Sequence, residues 1–270
     1  MQVLTDAEWA KFEAAIAAAN IRGARPRVED RRTIEAIIWR IDNGAKWRAI
    51  PAEFGTWHHA YLRFRRWAVR GAWDQIMAYL VAAGEPQLAF ACVDGTIART
   101  HQKASGARPW QRPVLSLRLI RGPANRGEAL GRSRGGLGTK IVGVCDAAGR
   151  LVDFLLTPGQ AHELAPSLTL MRRLPEAPSW ALADMACDAK EFRSEMRAMG
   201  SIPVVPSRRG AKEPQPCPAY IYRHRNLIER CGSRLKERRA VATRYDKTAT
   251  SYAACVAIAA SLDWIKPLIR

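Results

Sequence analysis

The chain has 270 residues, of which 48% are hydrophobic and 25% are charged, a balance typical of a folded globular protein. Its 43 lysines and arginines against 25 acidic residues give a formal charge of +18, which favours a polyanionic partner. Because the basic residues are dispersed and do not flank an apolar helix, nucleic acid is favoured over a membrane surface. A merely basic or ribosome-associated protein remains the alternative on charge alone.

Cysteine usage and apolar segments indicate the compartment. Six cysteines are scattered without a CxxC pair, which predicts reduced interior thiols and argues against a zinc knuckle. The first residues include acids and no basic-then-apolar leader, and the longest apolar stretch, about residues 252–262, is too short to span a bilayer. We therefore expect a cytoplasmic protein without a membrane partner, associated with the nucleoid if it binds DNA.

The first part of the chain carries helical patterns. Thr5 and Glu8 have the spacing of a capping box, which predicts a helix from about residue 6 to 20. Isoleucines at core spacing predict a second helix over about residues 28–43. Further helices are predicted to begin near Thr56 and Trp73.

The predicted third helix mixes aromatic and basic residues. Its aromatic stripe can pack while Arg63, Arg65 and Arg66 present guanidinium groups, as in a helix-turn-helix that reads a DNA groove. A helix with simply solvated arginines has the same spacing, and the net charge favours the DNA role. The sequence thus predicts a small all-α, helix-turn-helix-like DNA-binding domain over residues 1–85.

Residues 86–270 predict an α/β domain with a mixed sheet flanked by helices. LAFACVDGT predicts a short strand ending at Asp94-Gly95, and the next strands form a hairpin around residues 146–149. Later strands, at SWALADM and IPVVPS, alternate with helices predicted at about residues 163–173, 188–199, 219–239 and 247–265.

A Gly- and Arg-rich stretch lies between these parts, over about residues 100–138. It is predicted to be a mobile basic loop. Because it does not match a Walker loop, contact of Arg132, Arg134 and Lys140 with a DNA backbone is the more economical interpretation.

Three carboxylates stand where a sheet could bring them together. Asp94 is predicted at the end of the first strand, Asp184 at the end of SWALAD, and Glu229 within a later helix. Each signal alone is weak, since an Asp-Gly pair is most often a turn and Asp184 could instead help to cap the helix near Asp188.

Glu229 shares a predicted helical face with Tyr222, Arg225 and Lys236. At about 100° per residue the four side chains fall within an arc of roughly 60°, while the apolar residues lie elsewhere. This polar face can meet a ligand, or it can be a solvated face with a simple Arg225–Glu229 pair.

The three segments around these acids resemble the acidic motifs of DDE transposases of the IS-five and IS-four class of bacterial insertion sequences. The segments are VDGT, LADMACD and YRHRNLIERCGSRLK, and the Tyr-Arg-Glu-Lys helix is the most specific. The similarity covers nearly the whole chain, since LTDAEW, GAKWRAIP, GRSRGGLGTK, LLTPGQAH and ATRYDK also resemble that class.

The resemblance implies an RNase H-like catalytic domain in which Asp94, Asp184 and Glu229 bind two Mg²⁺ or Mn²⁺ ions. It also implies hydrolysis at the ends of the element and attack of the freed 3′-hydroxyl on target DNA. The implied partners are double-stranded DNA, at the terminal inverted repeats and the target, and a second copy of the chain in a dimer on DNA.

Neighbouring residues have implied supporting roles. Arg225 and Lys236 would hold phosphates, and Tyr222 would stack on a base or contact the backbone. His162 either approaches the site or starts a helix, and Asp188 is a nearby rival of Asp184.

Two features depart from the class. Met185 and Cys187 stand where it has a lysine and a tyrosine, and residues 107–127 form a longer, more apolar stretch. Three hypotheses follow: an active transposase, a catalytically weak copy that only binds DNA, and a nuclease of the same fold that cuts without joining.

Overall fold

The structure is a computed structural model in which residues 2–19, 29–106 and 128–266 are described. Its helices are α1 Asp6–Ala18, α2 Glu29–Asn43, α3 Trp57–Val69, α4 Ala72–Ala83, α5 Gln102–Ser105, α6 Leu164–Arg172, α7 Lys190–Ala198, α8 Ala219–Tyr222, α9 Asn226–Glu237, α10 Arg239–Ala242 and α11 Ala249–Ile265. Its strands are β1 Phe90–Thr100, β2 Gly131–Ser133, β3 Gly136–Cys145, β4 Leu151–Pro158, β5 Trp180–Ala183, β6 Ile202–Val204 and β7 Thr243–Arg244.

One mixed sheet organises the second part of the described chain. Its main strands lie in the order β4, β3, β1, β5, β6, while β2 extends the edge of β3 and β7 pairs with the end of β1. The first four strands in the chain, β1 to β4, are joined by antiparallel pairs, whereas β5 and β6 are parallel to β1. Helix α6 packs on β3 and β4, and α9 packs on β1 and β3. The predicted mixed sheet with flanking helices is confirmed.

Strand β1 is longer than predicted. Asp94 and Gly95 do not end it, because they pair with Gly143 and Val142 of β3, and the strand continues to Thr100. An Asp-Gly pair has low strand propensity, but the long β3 partner holds it in the sheet. The prediction of a strand end at Asp94 was therefore wrong.

Most predicted helix starts and the hairpin are confirmed. Thr5 and Glu8 form the capping box that begins α1, and α2, α3 and α4 begin within one residue of the predicted positions. The hairpin turn lies between β3 and β4, where Gly149 adopts a positive φ of 77°. The alternation of strands and helices after this hairpin also follows the prediction.

The helix predicted over residues 219–239 is interrupted. A 3₁₀ turn, Arg223–Arg225, separates α8 from α9, and α9 ends at Glu237 because Arg238 is extended. The backbone at Tyr222, Arg225 and Asn226 keeps right-handed helical angles, so the winding continues through the turn. Of the four residues predicted to share a polar face, Glu229 and Lys236 lie in α9, whereas Tyr222 and Arg225 lie in α8 and the turn.

The predicted basic loop of residues 100–138 is partly regular structure. Thr100 belongs to β1, α5 follows, and Arg132 lies in a hairpin formed by β2 and β3. This hairpin forms because β3 offers a free edge to residues 131–133. Residues 107–127, which include the longer apolar stretch, lie outside the described residues.

Helix α11 joins the helical region to the sheet. It is buried along most of its length and packs against α3 and α4 as well as β4. Its apolar residues thus serve the core, and within the described ranges no helix combines the length and hydrophobicity needed to cross a bilayer. The boundary between residues 85 and 86 stays a prediction, since α11 shares its packing with both parts.

Arg244 fixes the segment that precedes α11. Its fully buried guanidinium donates to the Glu128 carbonyl at 2.7 Å, the Thr139 hydroxyl at 2.5 Å and the Asp246 carbonyl at 2.9 Å. Burial lowers the pKa of Arg244. This residue ties the beginning of the 128–266 segment to β3 and to the start of α11.

Replacing this buried arginine is predicted to destabilise the fold. Arg244→Met should lower the free energy of unfolding by about 3–5 kcal/mol, because several buried oxygens lose their donor. The control is Arg172→Met, which removes an exposed pair with Glu195 and should cost less than about 1 kcal/mol. Urea denaturation measures both, and equal losses would contradict a structural role for Arg244.

Candidate active site

Asp94 and Asp184 are brought together by the pairing of β1 with β5. The last parallel pair joins Val93 to Ala183, so the two aspartates follow at the same level of the sheet. Oδ1 of Asp94 accepts a hydrogen bond from the Gly95 amide at 2.8 Å, and Oδ1 of Asp184 accepts one from Ala186 at 2.9 Å. These bonds orient one oxygen of each carboxylate.

Glu163 joins the two aspartates. One carboxylate oxygen from each of Asp94, Glu163 and Asp184 lies within 4.8 Å of the others. Glu163 is the residue before α6, and its Oε1 lies 2.8 Å from Nζ of Lys140. The sequence reasoning singled out His162 and missed this acid, although it follows β4 closely in the TPGQAHE segment.

The electrostatics of this cluster suit a cation. Burial raises the pKa of Asp94, and the charges of Glu163 and Asp184 act in the same direction, against the Gly95 amide and Arg225. Several carboxylate oxygens in a partly buried position are the ligands that Mg²⁺ and Mn²⁺ prefer. The donor set therefore matches a hard divalent cation.

Arg225 links Asp94 to Glu229. Its Nη1 lies 2.6 Å from Oδ2 of Asp94, and its Nη2 contacts Oε1 of Glu229. Burial lowers the pKa of Arg225, but Asp94, Tyr222 and Glu229 outweigh it and the pKa is raised. The side chain of Glu229 is 55% exposed, so this acid lies at the rim and outside the closest carboxylate cluster.

The polar face of α9 borders a cavity beside β1. Asp94, Glu229 and Lys236 line this space of about 190 Å³. Burial lowers the pKa of Lys236 and raises the pKa of the half-buried Tyr222. Arg225 forms the i, i+4 pair with Glu229 that a solvated face would also contain. The same guanidinium also donates to Asp94 of β1, so the pair faces the sheet.

Two further candidate residues have contacts within the fold. His162 is exposed, and its Nδ1 accepts from the Leu164 amide at 3.3 Å, as expected of a residue that starts a helix. Asp188 accepts from Arg193 at 2.8 Å and from the Arg208 amide at 2.7 Å. Burial raises the pKa of Asp188, but these donors outweigh it and lower the pKa.

The two residues that depart from the class, Met185 and Cys187, lie in a 3₁₀ turn directly after Asp184. Met185 is 47% exposed beside the carboxylates, where a lysine would add a positive charge. Cys187 is buried and contacts Ser167, and burial raises the pKa of its thiol to about 12. Within this turn Asp184 accepts its hydrogen bond from the Ala186 amide.

The arginines and the lysine predicted to contact DNA differ in availability. Arg63 pairs with Asp30 at 2.6 Å and Lys140 pairs with Glu163, so both cations are engaged within the chain. Arg65 is half-buried near the Tyr61 hydroxyl. The exposed positions are Arg66 on α3 and Arg132 and Arg134 on the β2–β3 hairpin.

Comparison with known proteins adds independent findings. Residues 4–77 match the family described as "Putative transposase of IS4/5 family", and residues 85–264 match "Transposase DDE domain". A stretch of 105 residues, 39% of this chain, is 31% identical to 82% of the uncharacterised protein y4sN of Sinorhizobium fredii. Another stretch of 132 residues, 47% of this chain, is 29% identical to 98% of a Brucella ovis protein named "Putative transposase for insertion sequence element IS6501".

These matches agree with the observed architecture. The match to the DDE domain covers well over half of the chain, including the whole sheet and the helix that carries Glu229. The family uses divalent metal ions, and the carboxylate cluster provides oxygen ligands of the right kind. The chain thus belongs to the insertion-sequence transposases with an RNase H-like DDE catalytic domain, as its motifs predicted.

Proposed function

We propose that this transposase binds the ends of a bacterial insertion sequence, cuts them in a metal-dependent reaction and joins them to target DNA. The convergence of Asp94 and Asp184, each one residue beyond the last parallel pair of β1 with β5, carries this proposal. Glu229 lines the adjacent cavity and would complete the set of acids. The three together would hold two Mg²⁺ or Mn²⁺ ions.

The reaction is an in-line displacement at phosphorus. The bound ions would supply activation of a water or a 3′-hydroxyl and stabilisation of the departing oxygen. Asp94 and Asp184 would fix the position of the reacting phosphate relative to the sheet, because both carboxylates are already oriented by backbone amides. This arrangement suits cutting and joining alike, since only the attacking nucleophile differs: a water in cutting and a 3′-hydroxyl in joining.

Arg225 and Lys236 would hold the DNA backbone at the same cavity. If Asp94 and Glu229 took part in metal binding, the forked guanidinium of Arg225 would be free to contact a phosphate. Lys236 would add a point charge, and Tyr222 would stack on a base or contact the backbone. Lys236 and the carboxylate of Glu229 line one cavity, so both can meet one DNA segment.

The DNA partner would extend beyond the cavity. We propose contacts from Arg65 and Arg66 on α3 and from Arg132 and Arg134 on the hairpin, while Arg63 and Lys140 act through their ion pairs. The net charge of +18 supports binding to both the terminal repeats and the target. Two copies on paired ends would form the dimer that joining both ends requires.

Neutralising the proposed metal ligands should separate binding from catalysis. Asp94→Asn, Asp184→Asn and Glu229→Gln should each reduce Mg²⁺-dependent cleavage of end-containing DNA by more than about 100-fold, beyond the usual loss of a supporting contact around a metal. Each variant should still bind DNA, because its positive surface is unchanged. Gel-based cleavage and strand-transfer assays measure the effect, and strand transfer distinguishes a transposase from a nuclease that only cuts.

The matched control lies on the same helix. Glu237→Gln replaces an exposed acid at the end of α9 and should leave cleavage unchanged. Cleavage by Glu229→Gln at the wild-type rate would remove Glu229 from the catalytic set.

The exposed arginines should contribute to the salt dependence of DNA binding. Arg66→Gln and Arg134→Gln should each weaken DNA binding and reduce the steepness of the plot of log K against log salt by about 1. Binding then neutralises one phosphate fewer and releases fewer counterions. Arg197→Gln, which changes an exposed arginine outside these elements, should not alter the slope. Unchanged slopes for the first two variants would contradict DNA contacts from α3 and the hairpin.

A further inference from the structure

Glu163 is placed toward the carboxylates of the sheet and not toward solvent. Its side chain is only 14% exposed, and its oxygen reaches the cluster with Asp94 and Asp184. Glu229, by contrast, is 55% exposed and held by Arg225. In the described part of the chain, the three acids whose oxygens lie within 4.8 Å of one another therefore include Glu163 and not Glu229.

Gly95 provides the space that Glu163 occupies. A Cβ atom at residue 95 would lie 2.6 Å from Oε1 of Glu163 and 3.0 Å from Cδ of Lys140. The backbone of Gly95 has no positive φ that would itself demand glycine. The missing side chain therefore lets the Glu163 carboxylate approach β1 beside Asp94.

Lys140 places a positive charge at this position. Its Nζ lies 2.8 Å from Oε1 of Glu163 and donates to the Ala161 carbonyl at 2.8 Å, with only 12% of the side chain exposed. The contact with Ala161 would hold the ammonium in place even if Glu163 turned away. Lys140 thus offsets part of the negative charge among acids that repel one another.

We propose that Glu163 is an additional ligand of the metal centre, binding a divalent cation together with Asp94 and Asp184, and that Lys140 neutralises it when no cation is bound. The proposal rests on the metal-dependent function proposed above. It assigns Glu163 a direct role, whereas a structural ion pair would only attach the start of α6 to β3. The two roles differ in the effect of removing Lys140.

The test is a titration of the full-length, DNA-free protein with Mn²⁺. Binding is measured by calorimetry and by the electron paramagnetic resonance signal of free Mn²⁺. Glu163→Gln should weaken Mn²⁺ binding by about tenfold or more, as expected for the loss of a contact at a metal site. Lys140→Gln should bind Mn²⁺ at least as tightly as the wild type, because a competing positive charge is removed. Wild-type affinity in Glu163→Gln, or equal weakening in both variants, would overturn the proposal.

A second variant moves Glu163 without changing its charge. Gly95→Ala places a methyl group where the carboxylate lies, so it should also weaken Mn²⁺ binding. The control is Glu176→Gln, an exposed acid beyond the end of α6, which should bind Mn²⁺ like the wild type. Thermal unfolding of each variant checks that it is folded, and wild-type affinity in a folded Gly95→Ala protein would contradict the direct role.

Asp94→Asn separates the failure of this proposal from the failure of the proposed function. If Asp94→Asn abolishes Mn²⁺ binding while Glu163→Gln does not change it, only the role of Glu163 is overturned. If Asp94→Asn binds Mn²⁺ like the wild type, the metal centre does not lie at β1, and both proposals fail.

Discussion

The parallel pairing of β1 with β5 is the constraint on which the site depends. Because the last pair joins Val93 to Ala183, the next residue of each segment is an aspartate at the same level of the sheet. Burial and mutual repulsion make two such carboxylates costly together, and nearby positive charge reduces the cost. In the protein alone Arg225 supplies this charge to Asp94, and a divalent cation would supply it during catalysis.

Helix α9 and the segment before α6 approach this level of the sheet separately. Arg225 connects α9 to Asp94, which directs the face carrying Glu229 and Lys236 to the cavity beside β1. Glu163 arrives from the segment after β4, in the space left by Gly95. The site therefore draws on parts of the chain far apart in sequence, and α11, packed on both the helical region and β4, stabilises their arrangement.

Local patterns predicted much of the fold and part of the site. The capping box of Thr5, the hairpin and the pair of Arg225 with Glu229 depend on near neighbours, so periodicity and turn chemistry identify them. The continuation of β1 through Asp94 depends on pairing with β3. The strand propensity of single residues carries no information about such a distant partner. The approach of Glu163 depends on the path of the chain after β4, and no local pattern specifies that path. For the same reason the ion pair of Arg63 with Asp30 could not be read from helical spacing.

The most direct test of this account is a crystal structure of the protein soaked in Mn²⁺, with the anomalous signal of manganese used to locate the ions. We expect an anomalous peak in contact with the carboxylates of both Asp94 and Asp184, with Arg225 released from Asp94. Manganese bound only elsewhere, with the pair of Arg225 and Asp94 intact at saturating Mn²⁺, would contradict it.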